Sequence, residues 1–293
     1  MRWRRIKDSL ATRSMYLAVA LANSIALVVG LGLFVKARPI LATTSVSQLL
    51  FSSSWHPLKG EFGFYPFIIG TLAVTAIAMI LAVPVCLLSA IYLSEYAHRR
   101  VRELLRPVID LLAGIPSVIY GFWGVIVIVP LVRATGRAFG SPTTGYSLLA
   151  GGIILAIMVL PIIISVSTEV LQTVPIEARE ASLALGATRW ETVKHVVIRS
   201  ALRGILASIV LGFARAFGET MAVLMVVGNV PKVPTSLFDP AYPLPALIAN
   251  NYGEMMSIPL YDSALMLAAL ILLLVVAGFN LLAHFTLLRI ERR

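Results

Sequence analysis

Apolar residues fall into six long runs separated by short polar segments, each run long enough to cross a bilayer at 1.5 Å rise per residue. The pattern predicts spans over 15–35, 67–93, 108–132, 148–171, 205–228 and 264–288. The first follows an Arg-rich start, yet its apolar stretch outlasts a secretory signal's and ends without a small-x-small cleavage site. It therefore reads as a retained span. Pro84 and Pro161 predict kinks in the second and fourth. The third carries Gly114-Ile115-Pro116-Ser117 and then Gly121 and Gly124, which predict a bend or local break with close packing. In a membrane such breaks persist where protein or a cavity satisfies the freed backbone groups. The fold class is an all-α integral membrane protein of about six transmembrane helices, with no tandem repeat, low-complexity region or soluble domain.

The polar segments assign sides. Lys and Arg crowd residues 1–14, 94–107, 172–203 and the tail after Leu288, and are sparse in the other three segments. The positive-inside rule puts both termini and the two rich loops in the cytoplasm. Of the outer loops, 36–66 holds Trp55-His56-Pro57 and Gly63-Phe64-Tyr65-Pro66, aromatics that suit an interface belt. The loop 229–259 holds six prolines, which argue against one regular helix and for a fixed, contoured outer surface.

Composition agrees and excludes alternatives. The 293 residues are 59% hydrophobic and 13% charged with mean hydropathy +0.91, far from a soluble domain. The net charge of +10 follows from topology, so nucleic acid is not a partner. A single cysteine, Cys86, excludes an internal disulfide. The four histidines show no ligand spacing, so no metal site is assigned. No Ser/His/Asp or paired-carboxylate arrangement is visible, and no catalytic residue is assigned. There is also no GxxxxGK[ST] loop, so ATP must be hydrolysed by another chain if it drives this one.

Two stretches carry chemistry. In Gly212-Phe213-Ala214-Arg215-Ala216-Phe217-Gly218-Glu219-Thr220-Met221-Ala222, charges sit inside an apolar run, and intramembrane charges normally face a bundle interior or a wet path. On a continuous helix Arg215 and Glu219, four apart, share a face and partly neutralise each other. Gly212, Ala216, Gly218 and Ala222 are small enough for another helix to approach. The residues fit either an ion pair that staples helices or a charged gate on a transport path, and the second is favoured. In the inside loop, Pro175 and Gly186 bracket a short helix on which Ala178, Ala181, Ser182 and Leu185 form a narrow face of mostly small side chains, and Thr188-x-x-Glu191 reads as a capping box opening the next helix.

Glu180-Ala181-Ser182, with Gly186 six residues after the Glu, resembles the EAA loop of binding-protein-dependent ABC importer permeases. Ser182 stands where a second Ala is usual. The stretches Gly114-Ile115-Pro116-Ser117-Val118-Ile119-Tyr120-Gly121-Phe122-Trp123-Gly124, Arg215-Ala216-Phe217-Gly218-Glu219-Thr220-Met221-Ala222-Val223 and Gly228-Asn229 resemble the PstC-type phosphate permeases within that family. The resemblance runs from about residue 66 to the C-terminus. It implies a type I importer permease in an inner (cell) membrane. Residues 1–66 would hold the N-terminus, first span and first outer loop; 67–288 the transport core, with the coupling loop at 172–202; and 289–293 a cytoplasmic tail.

It also implies partners: a second, PstA-like permease subunit, two PstB-like ATPase subunits that use ATP and Mg, and an extracytoplasmic PstS-like phosphate-binding protein. This chain itself would bind no cofactor. Arg215, Glu219 and Thr220 would lie on the phosphate path, and Glu180, Ala181, Ser182 and Gly186 would meet the ATPase. The alternatives are a permease for sulfate or molybdate, an intramembrane enzyme lacking a second catalytic group, and a passive channel or scaffold that would not need the EAA loop.

Overall fold

The computed structural model describes residues 2–254 and 258–291. Six helices among these residues are long and apolar enough to span a membrane: 10–43, 65–96, 117–138, 148–172, 189–218 and 261–286. By the charge bias of its loops, the end of the bundle at Tyr65 corresponds to the outer side. α1 (Arg2–Thr43) runs along the outside of the bundle and meets it chiefly at its outer end, where Ala37 and Ile40 are fully buried and the Ile40 N–H donates to Ser263 Oγ at 3.1 Å. α2 (Val46–Phe51) and a two-stranded hairpin, β1 (Trp55–His56) against β2 (Glu61–Phe62), lead into α3 (Tyr65–Ile91). The aromatics of this outer segment do not form an interface belt. Phe64 and Phe67 are fully buried, and Trp55 stacks edge-on against Phe62, Phe64, Phe67 and Tyr261. The hairpin folds back onto the bundle, so these rings gain more by packing together than by sitting at headgroup level.

The centre of the core is the pairing of α3 with α7 (Leu148–Gln172). Val74, Ala78, Ala82, Cys86 and Ala90 recur every four residues on α3 and are buried, the first four against Leu155, Val159 and Ile163. Such a stripe of modest side chains lets two backbones approach where lipid supplies no hydrophobic drive. Pro84 and Pro161 both lie inside continuous helices.

The third span differs from the expected 108–132. Residues 99–114 form a separate helix, α4 (Arg99–Gly114); the chain extends at Ile115 (φ −68°, ψ 128°) and Pro116, and the membrane-length helix starts at Ser117. It comprises α5 (Ser117–Trp123), a π-helical turn over Gly124–Ile128 and α6 (Val129–Ala138). Pro116 has no N–H and pushes Ile115 out of the helical region, while apolar residues continue across the break and hide it from a hydropathy reading. Tyr120 Oη closes the elbow by donating to the Leu112 carbonyl at 2.8 Å.

The fifth span is displaced in the other direction. The inside loop expected over 172–202 ends at Thr188, because α8 (Ile176–Ala184) is followed by a helix running from Arg189 to Gly218 through α9 (Arg189–Thr192), a π-turn at Val193–Val197 and α10 (Ile198–Gly218). Its 30 residues span about 45 Å, so its basic inner third extends beyond a ~30 Å hydrocarbon core. At its other end the helix stops at Gly218 and restarts as α11 (Met221–Val226).

The Pro-rich segment is less of a surface than the prolines suggest. It holds a two-turn helix, α12 (Leu244–Asn251), whose Leu244, Pro245, Ala246 and Leu247 are buried where it packs on α3 and α13 (Tyr261–Glu291). Thr71 Oγ1 accepts from the Leu244 N–H at 2.8 Å. Pro243 and Pro245 sit at the helix start, where proline costs least. α13 runs beyond the expected sixth span as far as Glu291, so the expected tail is in part its last turn; residues 292–293 lie outside the described residues.

Candidate functional site

Arg215 and Glu219 do not share a helix face. Glu219 is extended (φ −74°, ψ 127°), Thr220 sits at φ −117°, ψ −61°, and the two charged side chains form no ion pair. The expected pairing assumed an unbroken helix. What the break does instead is place Arg215 in the last turn of α10, where a helix C-terminus favours a cation, and Glu219 just ahead of α11, where its Oε1 accepts from the Ala222 N–H at 3.3 Å. Thr220 Oγ1 donates to the Gly218 carbonyl at 3.3 Å, and the Thr220 carbonyl accepts from the Leu224 N–H at 2.9 Å. The groups freed by the break are thus partly rejoined locally.

Arg215 is exposed on the isolated chain, between buried Ala216 and Phe217 on one side and buried Gly212 on the other. Its guanidinium makes no ion pair or hydrogen bond among the described residues. A cation on a membrane-crossing helix that the described residues leave unpaired needs a neighbouring subunit, water or an anion. Its planar fork of donors suits an oxyanion with adjacent oxygens.

The glycines divide by surroundings. A Cβ on Gly121 would stand 2.6 Å from Met225 Sδ and 3.1 Å from the Ala222 Cα; one on Gly124 would meet Ile154 at 2.8 Å and Val226 at 2.9 Å. These glycines let α5 and the following turn press on α11 and α7, the contact that holds the second half of the broken helix. Gly212 packs on Ile163 of α7. Gly114 and Gly218 have nothing within 4 Å of an added Cβ; they stand at the ends of α4 and α10, next to the two breaks. Pro116 caps α5.

At the inner end, α8 begins after Pro175 and ends at Gly186, whose φ is +86°. The Ala187 N–H donates to the Ser182 carbonyl at 3.3 Å and the Gly186 N–H to Leu183 at 3.0 Å, the paired bonds of a Schellman stop. Thr188 and Glu191 form the expected capping box. The small face reads differently in three dimensions. Ala178 and Ser182 turn toward the chain itself, with Ser182 Oγ 2.9 Å from Thr192 Oγ1, whereas Glu180, Ala181 and Gly186 are exposed. Around them Ile176, Leu183, Leu185 and Trp190 are exposed too, Leu185 to 90%. Sequence spacing located the helix and put Leu185 on the face a partner could approach, where it is indeed exposed, but it put Ala178 and Ser182 on that face too and passed over Trp190 as an outward-facing apolar residue.

A family model described as "Binding-protein-dependent transport system inner membrane component" matches residues 82–293. The chain belongs to that family of membrane-embedded permease components. Among its relatives, the "Probable ABC transporter permease protein YqgH" of Bacillus subtilis is 39% identical over 291 residues, covering 97% of this chain and 92% of the relative. The "Phosphate transport system permease protein PstC" of Mesorhizobium japonicum is 38% identical over 280 residues, covering 90% and 85%. The "Probable phosphate transport system permease protein PstC" of Methanocaldococcus jannaschii is 33% identical over 272 residues, covering 87% and 86%. A chain of the MetNI methionine ABC transporter in an inward-facing conformation superposes with a TM-score of 0.58 at 20% identity, over 75% of this chain and 93% of that one, which shows the shared importer permease fold.

Proposed function

We propose that this chain is a membrane-spanning permease subunit of an ATP-driven, binding-protein-dependent phosphate importer, with Arg215 on the anion path and α8 as its contact with an ATPase subunit. The PstC relatives and the family support the transporter class and the phosphate assignment. The observation that carries the path assignment is Arg215, exposed in the last turn before the break of a membrane-crossing helix, with no ion-pair or hydrogen-bond partner among the described residues. A lone buried cation would bind a phosphate dianion too tightly to release it. Here Glu219 and Thr220 form the break itself, next along the chain, where a carboxylate can lower the local positive potential and a hydroxyl can accept or donate. A second permease subunit would close the open side of Arg215, an extracytoplasmic binding protein would deliver phosphate, and ATP and Mg would be used in the ATPase subunits. Both termini and α8 face the cytoplasm in this reading.

The test is labelled-phosphate uptake in proteoliposomes holding the chain with its permease partner, ATPase and binding protein, for wild type and Arg215→Gln, against excess sulfate and molybdate. ATP-dependent uptake competed by phosphate alone, and lost in an intact Arg215→Gln complex, is the expected result. Unchanged uptake in the variant removes Arg215 from the path, and competition by sulfate or molybdate replaces the substrate.

A further inference from the structure

The inner end of α3 holds a charged cluster that the anion path does not use. After Ile91 the helix passes into a π-helical turn, Tyr92–Tyr96, and Glu95 stands in it with its side chain 10% exposed. Arg179 reaches it from α8, itself 20% exposed, with Nη2 2.9 Å from Oε1 and Nε 3.3 Å from Oε2. The same guanidinium donates to the carbonyl of Leu171 at 2.9 Å and to that of Val174, the inner end of α7 and the link beyond it. One side chain therefore joins α8, α7 and α3. Ser94 Oγ supports Glu95 Oε1 at 2.8 Å, and Arg189, at the root of the fifth span, donates to the Glu95 carbonyl while lying 4.7 Å over the Tyr96 ring. Arg102 from α4 donates to the Leu93 and Ser94 carbonyls, both at 2.9 Å.

Capping alone does not require this arrangement. The carbonyls at the end of α3 need donors, and Arg102 and Arg189 supply them. A two-pronged, largely desolvated ion pair is costly to bury and is expected where position has to be specified. α8 has no buried residue, so it is held by directional polar bonds, Glu95–Arg179 and Ser182–Thr192, more than by a packed apolar face. Both polar bonds end on or beside a π-turn, Tyr92–Tyr96 in one case and Val193–Val197 in the other, and such turns interrupt the regular ladder where helices adjust. A push on the exposed side of α8 thus reaches α3 through one pair of charges.

We propose that the Glu95–Arg179 pair is the strut that passes displacement of α8 to the inner end of α3, making both residues positioning residues for ATP-driven transport. This rests on α8 being the ATPase contact. The same reconstituted complex tests it, with phosphate uptake and ATP hydrolysis measured on one sample. Glu95→Gln keeps the shape and removes the charge. The expected result is an assembled complex that still hydrolyses ATP while phosphate moved per ATP falls on the order of tenfold, with Glu95→Asp recovering part of the loss. Unchanged phosphate per ATP, or a parallel fall in uptake and hydrolysis, overturns the strut. Arg179→Lys, which keeps the charge but not the two-pronged grip, covers the case in which Glu95→Gln does not assemble; if neither variant assembles, the pair is a folding element and the proposal fails. A wild-type complex that hydrolyses no ATP in support of uptake defeats the transport reading itself, a different outcome from an uncoupled variant.

Discussion

Ser167 Oγ lies 2.7 Å from Ser208 Oγ where α7 and α10 cross, and neither residue is reached by solvent. Ser208 Oγ donates its one proton to the Ile205 carbonyl of its own helix at 2.7 Å, so between the two helices it accepts from Ser167. Interhelical bonds of this kind contribute about 0.6 kcal/mol on average in membranes, up to ~1.7. Ser208→Ala is therefore expected to lower the stability of the folded chain in detergent by roughly that amount. Ser208→Val should cost more, because the site is packed. Unfolding in a graded denaturing detergent reads both, and Ser208→Ala matching wild type would count against the bond.

Gly121 and Gly218, both singled out from sequence, should respond differently. Gly121→Leu drives a side chain into Met225 and the Ala222 backbone, and overpacking of this kind typically costs about 1–3 kcal/mol. Gly218→Ala meets nothing within 4 Å. Thermal unfolding should show a lowered midpoint for the first and no change for the second; equal effects would mean that α11 is not held against α5 as described.

The outward side of α8 makes its own prediction. Leu185→Asp should leave the chain's stability unchanged, since Leu185 is 90% exposed, while abolishing co-purification with the ATPase subunit. Gly186→Val acts differently. It puts a β-branched residue at φ +86°, where L-residues pay roughly 1–2 kcal/mol, so the Schellman stop itself loosens. Co-purification that survives Leu185→Asp would move the contact elsewhere.

Acid should act on the outer loop through Asp239. Its Oδ2 accepts from the Thr235 N–H, Thr235 Oγ1 and the Ser236 N–H, all at 2.9 Å, and these bonds, the Thr235 N–H foremost, hold its carboxyl below the usual carboxylate range. Because the folded pKa is depressed, the stabilisation is fully present above the unfolded value near ~3.9 and is lost as pH falls through the lower folded value. Protease resistance of the 229–243 segment should thus stay flat above about pH 5 and drop only in stronger acid. Asp239→Asn should be more easily cut at neutral pH, and resistance equal to wild type would show that the turn does not depend on the carboxylate.

Sequence alone determined what rests on local chemistry and on composition. The six apolar runs, the start of α8 after Pro175, its stop at Gly186 and the Thr188–Glu191 capping box were all legible because each depends on residues within a few positions of one another. Tertiary structure decided the rest. Apolar residues continue across Pro116 and Gly218, so hydropathy could not show where the third span starts or that the fifth is broken between Arg215 and Glu219. Which side of α8 faces outward depends on Thr192 lying beneath Ser182. Glu95 and Arg179 are 84 residues apart, on segments with no shared period, and only the folding of α8 against the ends of α3 and α7 brings the two charges together in a place poor in water.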